Sequence, residues 1–148
     1  MTGSTMSKTP TTLPREAFVD TSAFYAAVDT ADDQHHPVGA LLDRMFSEDI
    51  TLVTTSCVVV ETTALLQARL GLKAARVFLD SVVPPLDIAW VEADLHARGL
   101  EAWLAAGRRS LSLVDCISFA LMHELHLDTV FTLDRHFAEQ GFRVVPEA

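Results

Sequence analysis

A strand that ends on a carboxylate and turns at once into a helix can be built in few ways, and this chain holds the arrangement twice. Ala17-Phe18-Val19 is a short apolar run that stops at Asp20; Thr21 and Ser22 follow, and Ala23, Phe24, Ala26, Ala27 and Val28 then read as a helix. Near the other end, Thr129-Val130-Phe131-Thr132 gives way to Leu133-Asp134-Arg135-His136-Phe137, which is again strand, carboxylate, helix. In open α/β sheets ligands bind beyond the carboxyl ends of the strands, because turns from several units converge there. The competing reading of either residue type is local: Asp20 or Ser22 suffices to cap a first helical turn.

The chain between these two units keeps the same alternation. A polar connection containing His35, His36 and Pro37 leads to a helix over 38–46, with Ala40, Leu41 and Met45 on one side. A strand over 50–54 is followed by Thr55 or Ser56 as a cap, and by a helix carrying Val58, Val59, Glu61, Leu65, Leu66 and Leu70 up to Gly71. Glu61 falls early in that helix, where a negative charge suits the positive end of the dipole. After a further helix over 73–79, Pro84 and Pro85 force a turn into a strand over 86–90. The next helix, 91–106, has Leu95, Leu100, Trp103 and Leu104 as its expected buried face and Gly107 as its stop. Ser112 and Asp115 have capping-box spacing ahead of an apolar helix whose Phe119, Leu121 and Leu125 face the core, and a strand over 142–145 closes the chain. Strands separated by helix-length connections predict an α/β fold: a three-layer α/β/α sandwich around a mostly parallel sheet.

With 148 residues and 49% apolar content the chain has material for one core, so 15–148 reads as a single domain. Residues 1–14, rich in Thr and Ser, lack the apolar centre of a secretory signal and read as a flexible leader. No apolar run reaches the roughly 18 residues of a membrane span. Cys57 and Cys116 show no metal or redox spacing, so free thiols and a cytoplasmic location are expected.

A net charge of −9 opposes a polyanionic partner. Bound cations change that balance, because the ion's charge must be counted with the protein's. Basic residues form two groups: Arg69, Lys73 and Arg76, and Arg98, Arg108 and Arg109. No nucleophile elbow, phosphate loop or zinc-spaced His/Cys cluster is present. Four acids remain at helix starts: Asp20, Glu61, Asp115 and Asp134. Carboxylates brought together select a hard cation, Mg²⁺ or Mn²⁺, and such a site suits phosphodiester hydrolysis. A phosphatase with an aspartyl nucleophile is a rival, but it wants a carboxylate two positions after Asp20, where this chain has Ser22.

The motifs Phe18-Val19-Asp20-Thr21-Ser22-Ala23, Glu61, Ser112-Leu113-Val114-Asp115-Cys116-Ile117-Ser118-Phe119 and Val130-Phe131-Thr132-Leu133-Asp134-Arg135-His136-Phe137, with Gly141-Phe142, occur in order across the chain. Together they resemble PIN-domain ribonucleases, in particular the VapC type of bacterial toxin–antitoxin systems. The resemblance implies that Asp20, Glu61, Asp115 and Asp134 form the Mg²⁺ or Mn²⁺ site of a metal-dependent endoribonuclease, with Ser22 supporting the first carboxylate. It also implies a homodimer, and a cognate antitoxin whose tail covers the acidic groove. Where some relatives have further acids, this chain has Ser118 and His136, a departure that leaves one or two metals per site open and keeps the principal quartet. Arg108 and Arg109 are candidates for gripping RNA phosphates, and the apolar residues of 41–46 and 65–78 for the dimer face. The second reading, favoured by the acidic charge, is a catalytically inactive PIN-like scaffold that binds RNA or protein.

Overall fold

A computed structural model describes residues 13–147, so most of the expected leader lies outside the described residues. Five strands form one sheet in the order β3-β2-β1-β4-β5, and every neighbouring pair is parallel. The strands are β1 (Glu16–Val19), β2 (Thr51–Thr55), β3 (Asp87–Ala89), β4 (Thr129–Phe131) and β5 (Arg143–Val145). The helices are α1 (Thr21–Val28), α2 (His35–Ser47), α3 (Ser56–Leu70), α4 (Leu72–Val77), α5 (Ala93–Ala106), α6 (Leu113–Glu124) and α7 (His136–Glu139). A π-helical turn, Phe78–Val82, extends α4.

The chain runs outward from β1 through β2 to β3, then returns to β1's other side with β4. Right-handed crossovers therefore place α1 to α4 on one face and α5 to α7 on the other, and α1 packs against α2 and α3 while α5 packs against α6. The result is the three-layer sandwich. The order in which strands are added reverses between β1 and β4, the switch point where parallel sheets open a crevice. Asp20 follows β1 and Thr132 follows β4 at that point.

Buried aromatics hold the second layer against this edge. Phe137 lies 6.4 Å from Phe18 of β1 and 4.9 Å from Phe119 of α6, ring centre to ring centre. A fully buried phenylalanine contributes about 1.5–3 kcal/mol, so this cluster fixes α7 and the segment before it.

Several expectations need correction. The helix expected over 38–46 begins at His35, so His35 and His36 lie in its first turn and His35 Nδ1 sits 2.9 Å from the Ala26 carbonyl oxygen. Pro37 is tolerated there because first-turn amides have no intrahelical partner. The helix after β2 stands as expected, with the Thr55 hydroxyl accepting from Val58 N at 3.1 Å and starting α3. On α5 the buried positions are Leu95 and Gly99, whereas Leu104 is 65% exposed and Trp103 is 39% exposed. The reason is close approach: a Cβ on Gly99 would stand 2.4 Å from Ile117 Cγ1 of α6, so the contact centres on the glycine. Leu125, expected in the core, is exposed at the end of α6, and Leu127 is buried instead. Both cysteines are free, Cys116 buried and Cys57 half-buried. Among the described residues no helix is long and apolar enough to cross a membrane.

Candidate metal centre

The four acids reach one groove by four different routes. Asp20 occupies the N-cap position of α1, yet its side chain makes no capping bond. Its Oδ2 instead accepts from Ser22 Oγ at 3.1 Å and from Thr132 Oγ1 at 2.9 Å. The two hydroxyl oxygens are 3.0 Å apart. Each hydroxyl has one proton, so both protons on Asp20 leave their mutual contact without one. The same oxygens then accept from the backbone of the next segment: Leu133 N to Ser22 Oγ and Asp134 N to Thr132 Oγ1, each at 2.9 Å. A hydroxyl bracket thus ties the end of β1 to the end of β4.

Asp115 is the N3 residue of α6 and completes the capping box: Asp115 N donates to Ser112 Oγ and Ser112 N donates to Asp115 Oδ2, both at 3.0 Å. Asp134 Oδ1 accepts from His136 N at 2.9 Å and lies 2.6 Å from His136 Nδ1. On the ring's other side, His136 Nε2 is 3.2 Å from Ser110 Oγ. Glu61 projects from α3 beside Thr21, whose hydroxyl accepts from Thr62 Oγ1 at 3.2 Å.

Electrostatics link the four. Burial, and then the charge of Asp115, raise the Asp20 carboxyl to about 6 against the donors Thr132, Thr21 and Ser22. Glu61 is raised by burial and again by Asp115, with Thr21 offsetting part of the rise. Asp115 is raised by burial and by Asp134, against the Ser112 donors and His136. Burial in the groove, and after it the like charges held together there, explain these rises. A cation between them would reverse the effect, and oxygen donors with one imidazole fit Mg²⁺ or, better, Mn²⁺. Ligand atoms of Asp115, Asp134 and His136 lie within 4.8 Å of one another, a spacing able to hold a divalent ion.

The groove has a volume of about 430 Å³, and Asp20, Glu61, Asp115 and Asp134 all line it. Arg69 lines it too, with its guanidinium 5.4 Å from the Tyr25 ring centre. Arg108 and Arg109 lie outside it, at the Gly107 turn, and Arg108 pairs with Glu139 at 2.9 Å. Ser118 donates to Val114 O at 2.9 Å and so is turned back into its own helix. The residues that sequence reasoning passed over as parts of the site are Thr132 and His136, while Arg69, expected only within a basic group, lines the groove itself. His136 was legible only as a departure from an acid, and Thr132 only as the last residue of a strand.

Parallel sheet, switch-point crevice and clustered acids define a class. A PIN-domain family model matches residues 17–143, and the chain belongs to that family. Along 135 residues it is 34% identical to the 23S rRNA-specific endonuclease VapC20 of Mycobacterium tuberculosis, spanning 88% of this chain and 98% of the relative, in strains CDC 1551 / Oshkosh and ATCC 25618 / H37Rv alike. The crystal structure of Mycobacterium tuberculosis VapC20, described as a sarcin-ricin loop cleaving toxin, superposes with a TM-score of 0.74 at 27% identity, covering 85% of this chain and 95% of that one. FitAcB from Neisseria gonorrhoeae shares the fold, with a TM-score of 0.62 at 19% identity over 86% of this chain and 95% of that one.

Proposed function

We propose that the chain is a Mg²⁺- or Mn²⁺-dependent endoribonuclease and the toxin of a type II toxin–antitoxin pair. The observation that carries this is the convergence of four acids on one groove, against a single lining arginine, Arg69, in a chain 34% identical to an rRNA endonuclease. Asp20, Asp115 and Asp134, with Glu61 and His136, are the residues that would hold the ion. When bound, a divalent ion neutralises charge on the scissile phosphate and eases ionisation of the attacking water.

The chain's own groups do the remaining work. Ser22 and Thr132 hold Asp20 at a fixed angle, and the capping box does the same for Asp115. Glu61, half-buried and raised, orients the attacking water and takes its proton at a carboxylate oxygen. Arg69, held over Tyr25, meets a phosphate in the groove, while Arg108 and Arg109 reach flanking phosphates further out. The substrate class is RNA presented as a loop or single strand, and 23S rRNA is the first to test.

The partners follow from the same reading. Val60, Leu70, Leu72, Val77 and Leu79 on and beyond α3 and α4 are exposed, and a homodimer would cover them. A cognate antitoxin would place a cationic side chain against the acids. Cytoplasmic RNA is the natural target. The decisive experiment incubates the metal-stripped chain with rRNA, then adds Mn²⁺. Discrete new ends that appear only with metal, and not with Asp20→Asn, support the proposal. Tight Mn²⁺ binding with no cutting of any RNA would move the protein to the scaffold reading.

A further inference from the structure

The acidic groove has a larger neighbour. On the other flank of Leu133 and Asp134, which line both hollows, lies a cavity of about 630 Å³ that Thr132 also lines. Its remaining walls are Ala138, Val144 and Pro146, with Gln34, Arg135 and Glu147 contributing the polar groups. We propose that this cavity seats an unpaired nucleobase of the RNA, beside the phosphate that faces the carboxylates. The proposal rests on the endoribonuclease reading and adds a base-selecting site to it.

Charge and shape both favour this occupant. Asp134 is shared with the groove, and among the residues that line the cavity alone Arg135 and Glu147 offset each other, so the cavity is far less acidic than the groove. A phosphate belongs with the cation of the groove, and the uncharged base fits the largely apolar hollow beside it. The volume lies in the range of about 300–1,000 Å³ usual for sites that enclose small planar ligands. Proteins that read RNA by sequence take bases out of the stack, lay them on aromatic or guanidinium planes and bond their edges. Arg135 supplies such a plane. Gln34 supplies an amide with donors and an acceptor, and its side chain is not used to cap α2.

Leu133 is the divider. It is 39% exposed, and its amide donates to Ser22 Oγ at 2.9 Å. The bracket that fixes Asp20 therefore also fixes the ridge between base and phosphate. A base seated behind Leu133 would hold its own phosphate over the acids.

The test uses the full chain and a pool of short oligoribonucleotides randomised around the cut, with product ends sequenced and Mn²⁺ binding measured by calorimetry. Ala138 and Gln34 are both exposed, so Ala138→Phe and Gln34→Ala leave the core untouched. The expected result is a base preference at one position flanking the cut in the parent chain, flattened in Gln34→Ala. Ala138→Phe should lower kcat/KM about tenfold or more, mainly through KM, because one stacked base is lost. Mn²⁺ affinity should not change in either. Unchanged rate and preference in both variants would overturn the base seat while leaving the endoribonuclease reading intact. Unchanged cleavage together with loss of a co-purifying protein would also overturn it and assign the cavity to a protein partner. If the parent chain cuts no RNA in Mn²⁺, the endoribonuclease reading fails first and the base seat with it.

Discussion

Two helix starts in this chain carry an aspartate that lines the same groove, and they are held in opposite ways. Asp115 is secured by its own neighbourhood: two bonds with Ser112, three residues away, build the capping box and stabilise α6. Asp20 stands where a cap is expected but does not cap; its carboxylate is held by Thr132, 112 residues away, and by Ser22. The first acid stabilises the fold while facing the groove. The second is buried at a cost, with its carboxyl raised to about 6 by desolvation and by Asp115. A divalent cation bound beside it would offset that cost, so under the proposed endoribonuclease function Asp20 is where stability is exchanged for chemistry.

Asp20→Asn is the sharpest way to break the contrast. Outer-shell partners of a metal typically matter by about 10–100-fold, so loss of a direct carboxylate should reduce Mn²⁺-dependent cleavage more than about a hundredfold. Full retained activity in a contaminant-free preparation would exclude Asp20 from the site. The same substitution should stabilise the metal-free protein. The folded carboxyl near 6 lies above its ordinary 3.8, so the folded state binds the proton more tightly. That advantage is complete below about pH 4 and is lost as pH rises through 6, a difference of about 3 kcal/mol at pH 7.5. Denaturation in EDTA should therefore show the asparagine variant more stable at pH 7.5, with the gain fading toward pH 4; a pH-independent difference would contradict burial of an ionised Asp20.

Thr132→Val tests the bracket with little change of shape. Removing one donor to Asp20 and the acceptor for Asp134 N should lower Mn²⁺ affinity by about 10–100-fold, as loss of an outer-shell partner does. Affinity within twofold of the parent, measured by calorimetry, would show that burial alone places Asp20. The smallest effect belongs to Ser112→Ala, which removes a cap worth about 1 kcal/mol. Thermal melts should register that loss. Metal affinity should fall less than in Thr132→Val, since Asp115 Oδ2 still accepts from Ser112 N. A reversed ranking would erase the distinction between the two aspartates.

Local signals in the sequence carried much of this. The order of strands and helices, the stop at Gly107 and the Ser112–Asp115 box each depend on residues within one turn of each other, and the structure has them all. Errors cluster where contact with another element sets the answer. Trp103 and Leu104 fit the helical spacing of a buried face, but Gly99 lets α5 ride so close to Ile117 that the contact ends there. Arg69 stood in the sequence only as one of a basic group with Lys73 and Arg76, and α3 brought it over Tyr25 at the groove.

What the sequence determined by itself is the α/β alternation and the parallel sheet, because periodicity, turn residues and caps act over a few residues; the four acids its motifs singled out line one groove. Only the tertiary structure decided that β4 returns to the side of β1, which sets Thr132 against Asp20 and closes the hydroxyl bracket. It alone placed His136 beside Asp134 and Asp115, and opened the second cavity behind Leu133. The reason is range: a hydrogen bond between residues 112 apart leaves no periodicity to read, and a carboxyl is raised by its desolvated surroundings rather than by its neighbours in the chain.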